Sequence, residues 1–247
     1  VHAATLRVTD DGTIWVAYLD ERGLRVTSSV TGGLVWSNDQ DPGHVSAAAA
    51  SQFSADVHGD QLTLGWRTEE DSTLYVARRD GPAAGGVWTS REYPLAGIGG
   101  GDDLALRDGR PVGIDATLAV LEHRTDDTTG SLEPAITLFR IGSDGQVSEH
   151  LVARVADHLA QPRLVLDPFS RTVSVVTTST NEAGTIRRTD APATTLAFDL
   201  GRGQPAIRFP TVGPLADPLV ASPPAEGAGS LLLAGARPAG RYVAAVL

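Results

Sequence analysis

The chain has 247 residues, of which 41% are hydrophobic and 20% are charged, a composition typical of a globular protein with a real core. Its 30 acidic and 20 basic side chains give a formal charge of −10, which argues against a nucleic-acid groove or a polybasic membrane patch. The sequence contains neither Cys nor Lys, which excludes disulfides, thiolate chemistry, Schiff-base chemistry and a P-loop.

Short apolar segments of strand length recur along the chain, separated by turns and loops rich in Gly, Asp or Pro. The most apolar ones cover residues 13–18, 61–66, 117–121, 172–176 and 230–234. A strand is predicted before each of them, at 5–8, 54–57, 104–106, 163–166 and 219–221, and another after it, at 24–26, 74–77, 136–139, 195–198 and 242–246. Fourth strands are predicted around 35–36, 86–88, 146–147 and 206–209, whereas helical spacing is found only over 149–159.

Five copies of three or four antiparallel strands, one about every 50 residues, predict an all-β, five-bladed β-propeller that occupies residues 1–247 as a single domain. Segments such as 13–18 and 231–233 are apolar on both faces, which favours stacked blades over an open sheet with one wet face. The fifth copy ends after its third strand, so either that blade is incomplete or the N-terminal segment closes the ring. A β-sandwich with long loops is the alternative.

A turn after the third predicted strand carries a recognisable pattern. The segment S-V-T-G-G-L-V-W, which begins at Ser29, resembles a degenerate Asp-box, the S-x-D-x-G-x-T-W turn of sialidase-like (BNR-repeat) propellers. Ser29, Gly33 and Trp36 match the pattern, whereas Thr31 and Val35 stand where it has Asp and Thr. The polar side chains are expected to cap backbone N–H groups of the turn, and the Trp to be buried between strands.

The resemblance supports the fold more than any chemistry, because an Asp-box is a structural turn remote from the active site. Sialidase-like enzymes imply an arginine triad for the substrate carboxylate, a Tyr–Glu nucleophile pair and an acidic acid/base residue. The first arginine of that triad usually lies in an R-I-P motif. The nearest match here, Arg140-Ile141-Gly142, lies in the middle of the chain and ends in Gly, so the catalytic assignment is not carried over.

Ligands of propellers bind near the axis, where the chain enters each innermost strand and where it passes from the second strand to the third. These positions nominate three carboxylates for glycoside hydrolysis, one as acid and one as base or nucleophile: Asp20, Asp103 and Asp217. They also nominate six ligand-binding residues: Arg67, Arg124, Arg237, Trp66, Gln161 and His123. The three arginines occupy comparable positions in three copies, where converging guanidinium groups would hold a carboxylate. Ordinary surface ion pairs and turn residues are the competing explanation.

No cofactor is expected, because the six His residues lack the spacing of a zinc site. The alternative is a Ca²⁺ ion on the axis, ringed by His2, Asp102, Asp103, Gln161 and Asp217. Three functions stay open: recognition of a carbohydrate or small acidic ligand at one end of the channel, which we favour; a sialidase-like or other cofactor-free hydrolase; and a structural or protein-interaction propeller. Nucleic acid and membrane insertion are not expected, and the missing initial Met favours a processed, secreted or cell-envelope protein over a cytoplasmic one.

Overall fold

The computed structural model describes residues 3–68, 73–80, 86–95, 103–126, 132–182, 184–201, 203–208, 215–221, 231–236 and 241–246. For the last three segments the description is of the backbone alone. Strands dominate the described residues, and the helical segments among them are 3₁₀ turns of three to five residues. None of these helical segments has the length and apolar character that crossing a membrane requires.

The strands are, in chain order, β1 Ala3–Val8, β2 Ile14–Asp20, β3 Gly23–Ser29, β4 Ala50–His58, β5 Gln61–Thr68, β6 Thr73–Asp80, β7 Val87–Pro94, β8 Asp103–Asp108, β9 Ala116–Asp126, β10 Leu132–Gly142, β11 Val147–Ala153, β12 Leu159–Asp167, β13 Thr172–Ser179, β14 Thr185–Pro192, β15 Gln204–Arg208, β16 Leu215–Ala221, β17 Leu231–Ala236 and β18 Arg241–Val246. The 3₁₀ turns are Val45–Ala49, Arg110–Val112 and Val155–Asp157.

Each strand pairs with the next one along the chain, which gives the sheets β1–β3, β4–β7, β8–β11, β12–β15 and β16–β18. This succession of small antiparallel sheets confirms the predicted class, an all-β propeller. Four of the sheets are described with their side chains and form blades, rather than the five blades that the sequence predicts. The sheet β16–β18 is described by its backbone, and its role as a fifth blade stays a prediction.

Contacts between residues divide the chain into two compact units. The first unit contains Val1–Gly100 and Leu106–Asp108, and hence the sheets β1–β3 and β4–β7. The second unit contains Gly101–Ala105 and Gly109–Leu247, and hence most of the sheet β8–β11 and the two sheets that follow. The single domain predicted from the sequence stays a prediction.

Two middle strands, β5 and β13, are buried on both faces, as their sequences predict. In the first unit, β5 is buried from Leu62 to Thr68, and Trp66 stacks on Tyr75 with ring centroids 5.7 Å apart. In the second unit, β13 is buried from Val173 to Ser179. The strand β2 differs, because Trp15, Ala17 and Leu19 are buried whereas the intervening residues are only half-buried.

Two predicted strands are wrong in detail. The third strand of the fourth copy is β14, Thr185–Pro192, not 195–198, because Leu196 has a φ of +51°, which a strand does not adopt. The segment 149–159, which has helical spacing, is the end of β11, a 3₁₀ turn and the first residue of β12. Residues 35–36 form no strand, and Gln40 instead makes an isolated antiparallel bridge with Val26.

The turn after β3 has part of the expected hydrogen bonding. Ser29 Oγ accepts from the N–H groups of Thr31, at 3.3 Å, and Gly33, at 2.9 Å, and Thr31 Oγ1 accepts from the N–H of Val35 at 2.8 Å. Trp36, however, is 42% exposed and is not buried between strands as expected. Because the indole does not pack into the sheet, the assignment of this turn as an Asp-box is not confirmed.

Candidate functional site

Five polar residues lie together at one end of the second unit, and we call them the inner-strand cluster: Asp103, Glu122, His123, Gln161 and Arg163. Asp103 begins β8. Glu122 and His123 lie near the end of β9, and Gln161 and Arg163 lie near the start of β12. β8 and β9 are neighbours in one sheet, joined by a short connection, so the start of one strand and the end of the other lie at the same end of the blade.

The accessible part of the cluster is an ion pair between two blades. Arg163 Nη1 donates to Asp103 Oδ2 at 2.7 Å, and the side chains are 21% and 19% exposed, respectively. Asp103 Oδ1 accepts from the N–H of Leu104 at 2.9 Å, and Arg163 Nη1 also donates to the carbonyl of Pro162 at 2.8 Å. These additional bonds fix the orientation of both charged groups, which a surface ion pair by itself does not achieve.

A buried carboxylate braces the start of β12. The N–H of Gln161 donates to Glu122 Oε2 at 2.7 Å, and Glu122 is only 7% exposed. The register of β12 shifts between Ala160 and Arg163, and Gln161 has a φ of +54°, a left-handed conformation that costs a non-glycine residue about 1–2 kcal/mol. This hydrogen bond offsets part of the strain, and strained backbone held by its surroundings is concentrated at functional sites.

His123 follows Glu122 on β9, and its side chain points to the opposite face of the sheet. Its Nε2 is 2.9 Å from Thr137 Oγ1 on β10, and the side chain is buried. A buried ring of this kind positions the end of β9, and it does not offer an accessible nitrogen to a ligand. The ligand-binding role predicted for His123 therefore stays a prediction.

Two nominated residues of the first unit, Trp66 and Arg67, are buried, and the ligand-binding role predicted for them stays a prediction. Arg67 was expected in a loop, but it lies on β5 and is 1% exposed. Trp66 is fully buried, and its indole N–H donates to Ser46 Oγ at 3.0 Å. Both side chains pack as parts of the core of this unit.

Asp20, at the end of β2, is held by its own turn. Its carboxylate accepts from the backbone N–H of Arg22 at 2.8 Å and from Nη2 of that residue at 2.7 Å. These hydrogen bonds lower the pKa of Asp20, so the group is ionised at neutral pH. An ionised carboxylate cannot act as a general acid, although it retains the capacity to act as a base.

The remaining nominated residues fall where side chains are not described. Arg124 lies on β9 and Asp217 on β16, and only the backbone of each is described, whereas Arg237 lies outside the described residues. The structure thus brings Asp103, Gln161 and His123 to one end of the second unit.

Two members of the cluster, Glu122 and Arg163, are not among the nine residues chosen as the site, although both occupy positions that the sequence predicts to line the channel. The available signal was positional: Glu122 is the first acidic residue after the apolar segment 117–121, and Arg163 is a charged residue at the start of a buried strand. Within the described segments, no group of three or more His, Asp or Glu side chains has the geometry to hold a metal ion. Three of the residues expected to ring a Ca²⁺ ion, His2, Asp102 and Asp217, have no described side chain, so that site stays a prediction.

Comparisons with known proteins show the fold. No protein-family model matches the chain, and no curated protein matches it. The solved structure of the Hadza microbial sialidase Hz136 is similar with a TM-score of 0.57 and 16% identity, over 98% of this chain. A mutant α-L-arabinanase from Cellvibrio cellulosa has a TM-score of 0.56 and 11% identity, over 96% of this chain and 86% of the arabinanase. A protein of unknown function from Dyadobacter fermentans has a TM-score of 0.67 and 12% identity, over 99% of this chain and 78% of that protein.

The chain spans 55% of the length of the sialidase structure that it matches. At these levels of identity the similarity shows the all-β propeller fold alone, because one fold hosts many unrelated functions. The function of this chain therefore has to be argued from the site.

Proposed function

We propose that this protein recognises a carbohydrate and that the ligand contacts the inner-strand cluster of the second unit. The observation that carries the proposal is the partly exposed ion pair between Asp103 and Arg163. A carboxylate accepts hydrogen bonds from sugar hydroxyls and a guanidinium donates to them, so the pair offers both functions side by side. The names of two similar structures, a sialidase and an arabinanase, describe proteins that act on sugars and are consistent with this choice.

The cluster is built to keep this pair in place. Glu122 fixes the backbone at Gln161, two residues before Arg163, and Asp103 is fixed by its own strand. Polar groups that are ordered before the ligand arrives lose little conformational entropy when it binds. This preorganisation is the physical reason for preferring the cluster over the exposed ion pairs elsewhere in the chain.

A glycan array probed with the full chain tests the proposal, followed by titration of the best glycan into variants. Asp103→Asn and Arg163→Gln are expected to weaken binding about 10- to 100-fold, the effect of removing a hydrogen bond to a charged group. Asp190→Asn is the matched control, because it disrupts an exposed ion pair with Arg188 in the same unit, at 2.6 Å. If no glycan binds, or if the Asp103 and Arg163 variants bind as the control does, the proposal is wrong.

A glycoside hydrolase is the second candidate, favoured by the two carboxylates of Asp103 and Glu122 at the same end of neighbouring strands. Hydrolysis of a glycosidic bond uses one carboxyl group as acid and a second as base or nucleophile. A panel of aryl glycosides, including a sialoside and an arabinoside, tests for turnover. Loss of turnover in Glu122→Gln with glycan binding retained would favour the enzyme, whereas the failure of both the array and the panel would favour a structural propeller.

The proposal extends to the last sheet and to three residues whose side chains are not described. We propose that the sheet β16–β18 is a fifth blade and that Asp217, Arg124 and Arg237 lie near the ligand. Binding without an added cofactor is expected, so chelation of Ca²⁺ before the titration should leave the glycan affinity unchanged. A loss of affinity that added Ca²⁺ restores would revise the proposal toward a metal-dependent site.

A further inference from the structure

A cavity of about 280 Å³ opens at the other end of the second unit, away from the inner-strand cluster. It is bounded by the connection from β8 to β9, the hairpin from β12 to β13, the end of β10, the outer strand β11 and the residues after β14. The polar and charged side chains that the argument uses are Arg140, Ser148, His150, Arg171 and Asp115. None of these residues belongs to the inner-strand cluster.

Two guanidinium groups line this cavity. In the described part of the chain, no carboxylate lies within ion-pair distance of Arg140 or Arg171. Arg171 is held by a 3.4 Å hydrogen bond from Nε to the carbonyl of Val112, and a Cβ on Gly113 would lie 2.5 Å from its Nη2. The glycine therefore leaves the space that the Arg171 side chain occupies.

A Ser–His pair lies on the outer strand, and Arg140 faces it from β10. Ser148 and His150 are two residues apart, so both side chains are on one face of β11, and Ser148 is the cross-strand partner of Arg140. Ser148 Oγ is 3.1 Å from His150 Nε2. Burial and the charge of Arg140 lower the pKa of His150, so the ring is neutral at pH 7.

The direction of the hydrogen bond in this pair depends on which ring nitrogen carries the proton of the neutral imidazole. With the proton on Nδ1, Nε2 is an acceptor and the hydroxyl of Ser148 donates to it. The lone pairs of Ser148 Oγ are left for a donor that approaches from the cavity.

Backbone strain is concentrated around the same cavity. Arg171 and Leu196 both have a φ of +51°, and they are two of the four non-glycine residues with positive φ in the described segments. Neither conformation is expected for a side chain of this type, and such strain persists where the surroundings impose it, often at binding sites. It places the Arg171 side chain and the residue Leu196 at the wall of the cavity.

We propose that this cavity is a second site that binds a small hydroxylated acid. Its carboxylate or phosphate group lies between Arg140 and Arg171, and a neighbouring hydroxyl donates to Ser148 Oγ. The volume of about 280 Å³ lies at the small end of ligand pockets and suits a molecule of monosaccharide size. Asp115 at the rim offers a further acceptor and discriminates against ligands of higher negative charge.

Calorimetric titration of the full chain with gluconate, glucose 6-phosphate and glucose tests this site. One or both acids are expected to bind, and glucose is not. The acid that binds shows whether the site takes a carboxylate or a phosphate. Arg140→Gln and Arg171→Gln should each lower the affinity about 10- to 100-fold, because each removes a charge-assisted contact. Arg154→Gln, an exposed arginine after β11, is the matched control and should change nothing.

Ser148→Ala separates the hydroxyl contact from the charge. It should lower the affinity for the acid about 3- to 10-fold and leave the binding of inorganic phosphate unchanged, because phosphate uses the arginines alone. Asp103→Asn should not change gluconate binding, so failure of this proposal is distinguishable from failure of the glycan site. The proposal is overturned if neither acid binds, if glucose binds equally well, or if affinity survives both arginine substitutions.

Discussion

His150 makes the stability of the protein depend on pH in a predictable direction. Its pKa in the folded state is below that of an unfolded-chain histidine, about 6.5, because of burial and Arg140. As pH falls through about 6.5 the unfolded chain takes up the proton first, so the free energy of unfolding decreases. His150→Gln should remove this decrease, and urea unfolding at a series of pH values between about 8 and 5 measures it.

Ser148→Ala is the control for this measurement, because it removes the hydrogen-bond partner of the ring and keeps the titrating group. The decrease in stability toward acid pH should therefore persist in that variant. An equal slope in the wild type and in His150→Gln would contradict the prediction.

Gly23 is required by a close approach of two backbones within the first unit. It has a φ of +97°, and a Cβ at this position would overlap the carbonyl oxygen of Ala47 and the Cα of Ala48. Gly23→Ala should lower the free energy of unfolding by about 2–4 kcal/mol, the sum of backbone strain and overpacking. Gly12→Ala is the control, with a φ of +81° and no atom within 4 Å, and should cost only about 1 kcal/mol. Equal losses in the two variants, measured by urea unfolding, would show that the contact is unimportant.

At the scale of elements, a buried arginine joins the first two sheets. The Arg79 guanidinium of β6 lies 5.2 Å from the ring centroid of Trp15 on β2 and 5.9 Å from that of Trp88 on β7. Its Nε donates to Gln40 Oε1 at 2.9 Å, and the Trp88 indole donates to the same oxygen at 3.3 Å. Gln40 is the residue that bridges to β3, so one side-chain amide and one cation connect both sheets.

Arg79→Met should therefore destabilise the first unit by about 2–4 kcal/mol. The substitution keeps an unbranched chain but removes the cation–π contacts and leaves the amide oxygen of Gln40 with fewer donors. Arg91→Met is the matched control, because Arg91 is exposed on β7. Denaturant unfolding monitored by Trp fluorescence measures both, and a loss no larger than that of the control would contradict the prediction.

Elements with continuous apolar sequence were predictable, and polar buried ones were not. The strands β5 and β13 follow from their β-branched and apolar residues, which have no other stable place than a buried sheet. The strand β14 begins Thr-Ile-Arg-Arg, and its Arg187 is buried because Nη2 pairs with Glu182 at 2.8 Å and Nη1 donates to Gly203 at 3.1 Å. The local pattern of apolar residues does not show that these partners will meet the guanidinium group, so the nearby apolar segment 195–198 was preferred.

At the scale of the whole molecule, the number of blades is testable by truncation. Within the second unit, β12 and β13 contact β16. If β16–β18 is a fifth blade, a chain that ends at Arg208 exposes the apolar surface that this blade covers. Its Tm should fall by more than about 10 °C, since about 1 kcal/mol corresponds to 2–4 °C at this size, and it should bind the dye ANS. An unchanged Tm without dye binding would show that the last sheet is not part of the stack.

The sequence by itself determined the class of fold, because strand-length apolar segments at a regular interval are a local property of the chain. It also placed Asp103, Gln161 and His123 near strand ends, where polar residues of a propeller gather. Only the tertiary structure decided that Arg163 meets Asp103 across 60 positions of the chain, that Glu122 braces Gln161, and that Arg67 is buried. The physical reason is that charge pairing and burial depend on which strands become neighbours, and periodicity along the chain does not encode the position of a single partner.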